Sequence, residues 1–196
     1  MSRILRMNLV VGVVISLVIM AAVAGIHQYF GRPLICKCGY VQLWWYGPKG
    51  APEESQHIFD LYTTSHVLHG LIFYFIIWLF TRGRISLGLG LVIAVLVEST
   101  WEVVENSQWL LKRYGMAGAT EYAGDSTINS VADIVAMAAG FLFAAFVPVW
   151  ASLALLVGTE LWMLWMIRDN LTLNIINLIK PNEALIKWQQ GGGKGG

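Results

Sequence analysis

Five apolar runs alternate with polar, aromatic and glycine-rich stretches along this chain, and the alternation predicts a bundle of membrane-crossing helices. The first run, Leu9 to Ile26, follows Arg3 and Arg6. At about 18 residues it is long enough to cross a hydrocarbon core of roughly 30 Å. It exceeds the ~7 to 15 residue apolar region of a signal peptide, and we read it as a retained helix, with cleavage at Ala22-Ala-Val-Ala-Gly25 as the rival. A second span is predicted over 57–80, polar in its first third, and a third over 85–111 after the turn Thr81-Arg-Gly-Arg84. The fourth covers 126–147, Pro148 marks a tight turn, and the fifth covers 149–167. From Arg168 to Gln190, Leu171, Leu173, Ile175, Ile176, Leu178 and Ile179 stand among Asn and Lys, the pattern of an interfacial amphipathic segment broken at Pro181. The expected fold class is therefore all-α: a polytopic membrane helix bundle in one domain, residues 1–190, with Gly191–Gly196 as a disordered tail.

Composition agrees with this reading. The chain is 57% hydrophobic and 13% charged, with nine Trp, which is not a soluble domain's balance. A formal net charge of +1 offers no basic surface for nucleic acid, so the expected partners are membrane lipids and a lipid-linked substrate. Five spans put the termini on opposite sides. Arg3, Arg6, Arg82 and Arg84 lie close to helix ends and favour a cytoplasmic N-terminus and a periplasmic C-terminus in a bacterial inner membrane. The raw count opposes this, since the other nine of the thirteen Lys and Arg would be external, but they are spread over long segments.

Against this apolar background, Glu98-Ser-Thr-Trp-Glu102-Val-Val-Glu105-Asn106 stands out. On a continuous helix Glu98, Glu102 and Glu105 share one narrow face. Each charged acid at mid-membrane costs about 2.5 to 3.5 kcal/mol on insertion scales, so three together require a cation, protons or a wet cavity. Glu98 lies 13 residues from Ile85, Asp133 14 from Val147 and His66 14 from Phe80. At about 1.5 Å per residue, three consecutive antiparallel helices place a Glu, an Asp and a His at one depth, about 20 Å above the inner face. His69 follows His66 at i+3, and Asp125, Asn129 and Asp133 make one slanted stripe on the fourth helix. Such N and O donors suit a divalent transition metal: zinc, manganese or iron. The expected metal ligands are His66, His69, Glu98, Asp133, Asn129 and Asp125, with Glu102 or Glu105 as general base.

Each residue has a plainer alternative. A lone His can be a hydrogen-bonded packing residue, Glu105 and Asn106 can sit at the interface, and Asp60 and Asp125 can be helix caps. The membership of His57 stays open. Glu160 is a lone acid in the fifth helix, and its membership also stays open: it either meets the site from the side or lies apart from it. Cys36-Lys-Cys38 is a small disulfide, a soft-metal ligand pair or two ordinary thiols.

With these motifs placed, the chain resembles an uncharacterised bacterial family of small multi-pass inner-membrane proteins, known only as a domain of unknown function. The resemblance is carried by Cys36-Lys-Cys38-Gly39, His57-Ile-Phe-Asp60, Ser65-His66-Val-Leu-His69-Gly70, Trp101-Glu102-Val-Val-Glu105-Asn106, and Gly124-Asp125-Ser126 with Asn129, Ser130 and Asp133. It implies topology and a choice of residues, and no reaction. More faintly, the chain is similar to VanZ-like membrane proteins through Asp60, His66, Tyr74, Glu98, Asp133 and Gly140. It departs from them at Met137, where an Asn is usual, and in its second His and two further Glu.

Three functions compete. A metal-dependent enzyme acting on a lipid or lipid-linked substrate fits the donor set, although no serine-hydrolase elbow, phosphate-cradling Gly loop or HExxH motif is present. A non-catalytic accessory or assembly protein fits the small size. A proton or cation pathway fits least, because Ser86 to Val97 and Val135 to Val147 are apolar or small and leave the inner half without polar groups.

Overall fold

Helix boundaries follow local capping chemistry. In the computed structural model, which describes residues 7–116, 118 and 122–191, α1 (Leu9–Tyr29) begins where the Asn8 side chain accepts from the Val10 amide. Arg3 and Arg6, and Gly192–Gly196 of the expected tail, lie outside the described residues. Ser86 caps α3 (Leu87–Glu105) by accepting from Leu89, and also accepts from the Met7 amide at 2.8 Å, tying the start of α1 to that of α3. Ser126 caps α5 (Thr127–Phe146), and Pro148 opens α6 (Val149–Ile167) with its fixed φ.

Two expected boundaries shift. The second helix, α2, spans Thr63–Thr81 rather than starting at residue 57. Residues 57–59 are held out of the helix because Ile58 and Phe59 bond back to Gln42 and Leu43, and Trp45 bonds to Phe59. Only then does the Asp60 carboxylate accept from the Tyr62 and Thr63 amides, at 2.8 and 3.2 Å, and start the helix. The third span stops at Glu105 rather than reaching residue 111, and a separate helix, α4 (Gln108–Met116), follows. The break comes at Asn106, whose side chain exchanges two hydrogen bonds with Asp125: Asn106 Nδ2 donates to the carboxylate at 2.8 Å, and the Asp125 amide donates back at 2.7 Å. The C-terminal segment is two short helices, α7 (Leu171–Ile179) and α8 (Glu183–Gln190), separated at Pro181 as expected.

Five helices, α1, α2, α3, α5 and α6, are long and apolar enough to cross a membrane, and no strand occurs among the described residues. The chain is an all-helical, multi-pass membrane protein. Many of the apolar residues on α1 and α6 are exposed, including Val10, Val14, Leu17, Val18, Leu153, Val157, Leu161 and Trp165, as lipid contact requires.

At the centre, Leu91, Ala94 and Val95 of α3 pack with Ile134, Met137 and Phe141 of α5 and with Met20 and Val23 of α1. Helices α2 and α5 approach most closely where Gly70 faces Met137 and Phe141 backbone and Gly140 faces Val67 backbone; a Cβ on either glycine would strike a carbonyl oxygen.

The start of α2, the end of α3, the start of α5 and the end of α6 fall on one side of the bundle. Segment 30–62, α4, α7 and α8 cap that side. The cap supplies carbonyls to the free amides at the α5 N-terminus: Ser126 bonds to Ser55, Thr127 to Pro33 and Ile128 to Leu34, at 2.9, 2.8 and 3.1 Å. Asp169, after α6, accepts from Lys49, Tyr62 and Gln189 side chains and so joins the cap segment, at Lys49 and just before α2, to α8.

Candidate functional site

One turn of α2 carries both imidazoles. Because His66 and His69 are three residues apart, they lie on one face, with ring centroids 5.1 Å apart and planes at 73°. Glu98 of α3 meets both: its carboxylate lies 2.5 Å from His66 Nδ1 and 3.0 Å from His69 Nδ1. Glu102, one turn further along α3, lies 3.4 Å from His66 Nδ1, and Asp133 of α5 lies 3.7 Å from His66 Nε2. His66 is thus the centre of a cluster drawn from three helices. Glu98 and Glu102 are wholly buried, and among the described residues neither Glu102 oxygen nor Asp133 Oδ1 has a hydrogen-bond partner.

Within this cluster, two groups of donor atoms lie close enough together to hold a metal ion: His66, His69 and Glu98, and His66, Glu102 and Glu105. Ligands of one zinc ion stand about 3.3 Å apart across a tetrahedral edge, given bond lengths of about 2.0 to 2.1 Å. At 2.5 Å, His66 and Glu98 are hydrogen-bonded to each other, and an ion entering between them would part them by under an ångström. The arrangement can hold a divalent cation, or store and pass protons between carboxylates through His66.

The other expected ligands sit elsewhere. The Asp125 carboxylate is engaged by Asn106 and by Tyr122, whose hydroxyl donates at 2.6 Å. Asn129 donates to the Ile58 carbonyl at 3.4 Å, toward the cap. Both brace the site's outer wall and neither joins the donor groups around His66. Glu105 accepts from Tyr114 of α4 at 2.7 Å; burial and this carboxylate push the Tyr114 hydroxyl above its usual pKa. Asp60 holds the turn that leads into α2, and burial raises its carboxyl pKa even though three amides oppose the shift. Glu160 is turned to the start of α7, accepting from the Leu171 and Thr172 amides at 2.9 and 3.2 Å. It does not reach the site.

Two features escaped the sequence reading. His27 of α1 is 1% exposed, with no hydrogen-bond partner on either nitrogen among the described residues. The signal was present in the spacing of Gly12, Ser16, Met20, Val23 and His27, the face that α1 buries. The second is on the cap: Cys36 and Cys38 are joined as a disulfide, one of the three readings of that pair, but their grouping with Glu53 and His57 was not foreseen.

A cavity of about 1350 Å³ lies over the His66 cluster. His66, His69, Glu98 and Asp133 reach it from the membrane side, with Trp101 and Glu105 beside them, and α7 and α8 close it with Ile175, Trp188 and Gln189. Its lining combines this polar floor with apolar and aromatic walls, and it exceeds the roughly 300 to 1,000 Å³ of a small-molecule pocket. Glu102 lies behind this surface.

Residues 27–191 match the family described as "Protein of unknown function (DUF2585)". The chain is 51% identical over 162 residues to a UPF0314 protein of Paracoccus denitrificans, covering 82% of this chain and 83% of that one. It is 46% identical over 160 residues to a UPF0314 protein of Agrobacterium fabrum (81% and 80%), and 43% identical over 183 residues to one of Sphingopyxis alaskensis (92% and 96%). The fainter likeness to VanZ-like proteins is not carried by these matches. No solved structure matches the chain. By the extent of the family match and the identity to these bacterial relatives, the chain belongs to the DUF2585 family.

Proposed function

We propose that this protein is a metal-dependent enzyme of the bacterial inner membrane that acts on a lipid or lipid-linked substrate from the outer leaflet. The observation that carries the reading is the charge imbalance around His66. Glu98, Glu102 and Asp133 converge on one imidazole, with a second beside it, at the floor of a lipid-sized cavity. Excess buried carboxylate calls for a bound cation or for protons. His66, His69 and Glu98 are the ligands of choice. Asp133, at the far nitrogen of His66, orients that imidazole, as partners of metal-bound His commonly do. Glu105 faces the cavity and serves as the base toward substrate, while Glu102 adds negative charge behind the ion. The N-terminus lies in the cytoplasm, and the cap and C-terminus face the periplasm.

The hydrogen-bond distance between His66 and Glu98 favours a second reading, a proton-holding polar network in a non-catalytic accessory protein. Vesicles containing the purified protein and a bacterial lipid extract separate the two. With zinc or manganese supplied, the enzyme reading expects a new lipid product by mass spectrometry, absent with chelator and in Glu105→Gln. An unchanged lipid profile with zinc, manganese and iron alike contradicts it.

A further inference from the structure

The cap carries a second set of ligand-type side chains that the membrane site does not use. Cys36, Cys38, Glu53 and His57 each offer one ligand atom, and these atoms all lie within 4.8 Å of one another. Cys36 and His57 are 4% and 1% exposed, unusual for a surface segment. His57 is held in place: Gln42 N–H donates to Nδ1 at 3.2 Å, Tyr40 stacks on the ring at 5.3 Å, and Nε2 faces Glu53 at 3.2 Å. A disulfide serving only to staple the loop has no need of an imidazole and a carboxylate beside its sulfurs.

We propose that Cys36, Cys38, His57 and Glu53 form a redox-gated site for a zinc-class divalent cation, closed while the cysteines are joined and open once they are reduced. Two thiolates, an imidazole and a carboxylate complete a four-coordinate set for this ion. Opening needs a dithiol reductant. The S–S bond breaks, each sulfur gains one electron and one proton, and the dithiol is oxidised to its own disulfide. When the cation binds, both thiols lose their protons, so two protons are released. Because Gln42 donates to Nδ1, Nε2 carries the imidazole proton in the closed state. Ligation through Nε2 moves that proton to Nδ1 and opens the Gln42 bond, a single long hydrogen bond set against four metal–ligand bonds.

The test uses the full chain in detergent and zinc as the probe. Zinc content is measured by elemental analysis after dialysis, for oxidised protein and for protein reduced with a dithiol and desalted without oxygen. The comparison needs no substitution, so it does not depend on a variant folding. Reduction is expected to add one equivalent of zinc. The increment is expected to vanish in Cys36→Ser/Cys38→Ser and to weaken by more than about tenfold in His57→Ala. It should persist in Glu98→Gln, whose helix content is checked by circular dichroism, because the membrane site contains no cysteine. Equal zinc in oxidised and reduced protein overturns the proposal, as does an increment that survives the double Ser substitution or is untouched by His57→Ala.

Discussion

Glu102 lies 3.4 Å from His66 Nδ1, yet neither of its oxygens finds a hydrogen bond among the described residues, because Glu98 already occupies that nitrogen at 2.5 Å. His66 lies within 4 Å of Glu98, Glu102 and Asp133, and removing it leaves Glu98 to His69 and takes the nearest imidazole from the other two acids. His66→Ala is expected to cost about 3 to 5 kcal/mol, the scale of a broken buried ion pair. Glu102→Gln, which replaces a buried carboxyl group that has no hydrogen-bond partner among the described residues, is expected to be neutral or stabilising. Unfolding in detergent, followed by circular dichroism, checks both; equal losses in the two variants contradict this assignment.

Asp169 is the cap's junction. It accepts from Lys49 at 2.7 Å, Tyr62 at 2.9 Å and Gln189 at 2.9 Å. Asp169→Ala is expected to speed amide exchange in segment 46–56 and in α8 together, while α3 and α5 keep their protection. Each bond to a charged group contributes about 1.5 to 3 kcal/mol, so the loosening should be large. Exchange that changes in α8 alone would show that the junction does not reach the loop.

Glu54 lines the cavity and accepts from the Gly50 amide at 2.9 Å. Burial is the main cause of its raised pKa, lifted from 4.5 to about 7. For an acid whose folded pKa is raised, the stabilising contribution is full below the unfolded pKa and is lost as pH rises through the folded one. The cap is therefore expected to weaken between pH 4.5 and about 7. Thermal midpoints at pH 5.5 and pH 8 should differ less in Glu54→Gln than in wild type. An unchanged difference removes Glu54 as the cause.

Glycines in the bundle separate by what surrounds them. A Cβ at Gly70 would meet the Met137 carbonyl, whereas one at Gly158 meets nothing within 4 Å. Gly70→Ala is expected to force α2 from α5 and to cost at least the ~1 to 3 kcal/mol of an overpacked core. Gly158→Ala should gain about 0.5 to 1 kcal/mol through helix propensity. Detergent unfolding midpoints that move in the same direction for both would contradict the close α2–α5 contact.

The five spans and the meeting of His66, Glu98 and Asp133 were legible in the sequence for one reason. Hydrophobic length fixes where each antiparallel helix starts, and counting residues then fixes depth. Boundaries set by long-range partners were not legible. Nothing near Asn106 announces that Asp125 will hold it and end α3, and nothing near His57 shows that Gln42 to Trp45 will hold that stretch out of the helix. Glu160 looked like a fifth-helix acid available to the site because its targets, the α7 amides, follow a turn whose geometry leaves no periodic mark. Asp125 and Asn129 share the stripe of Asp133, but they lie two turns and one turn before it, respectively, where the cap claims them.

The central claim is that the His66 cluster holds a metal, and elemental analysis of detergent-purified protein, kept oxidised so that Cys36 and Cys38 stay joined, tests it most directly. After loading with zinc, manganese or iron and dialysis, near one equivalent is expected in wild type and little in His66→Ala and Glu98→Gln. Metal-free wild type after loading, or equal metal in all three proteins, would contradict the metal-dependent reading and leave a proton-holding network in its place.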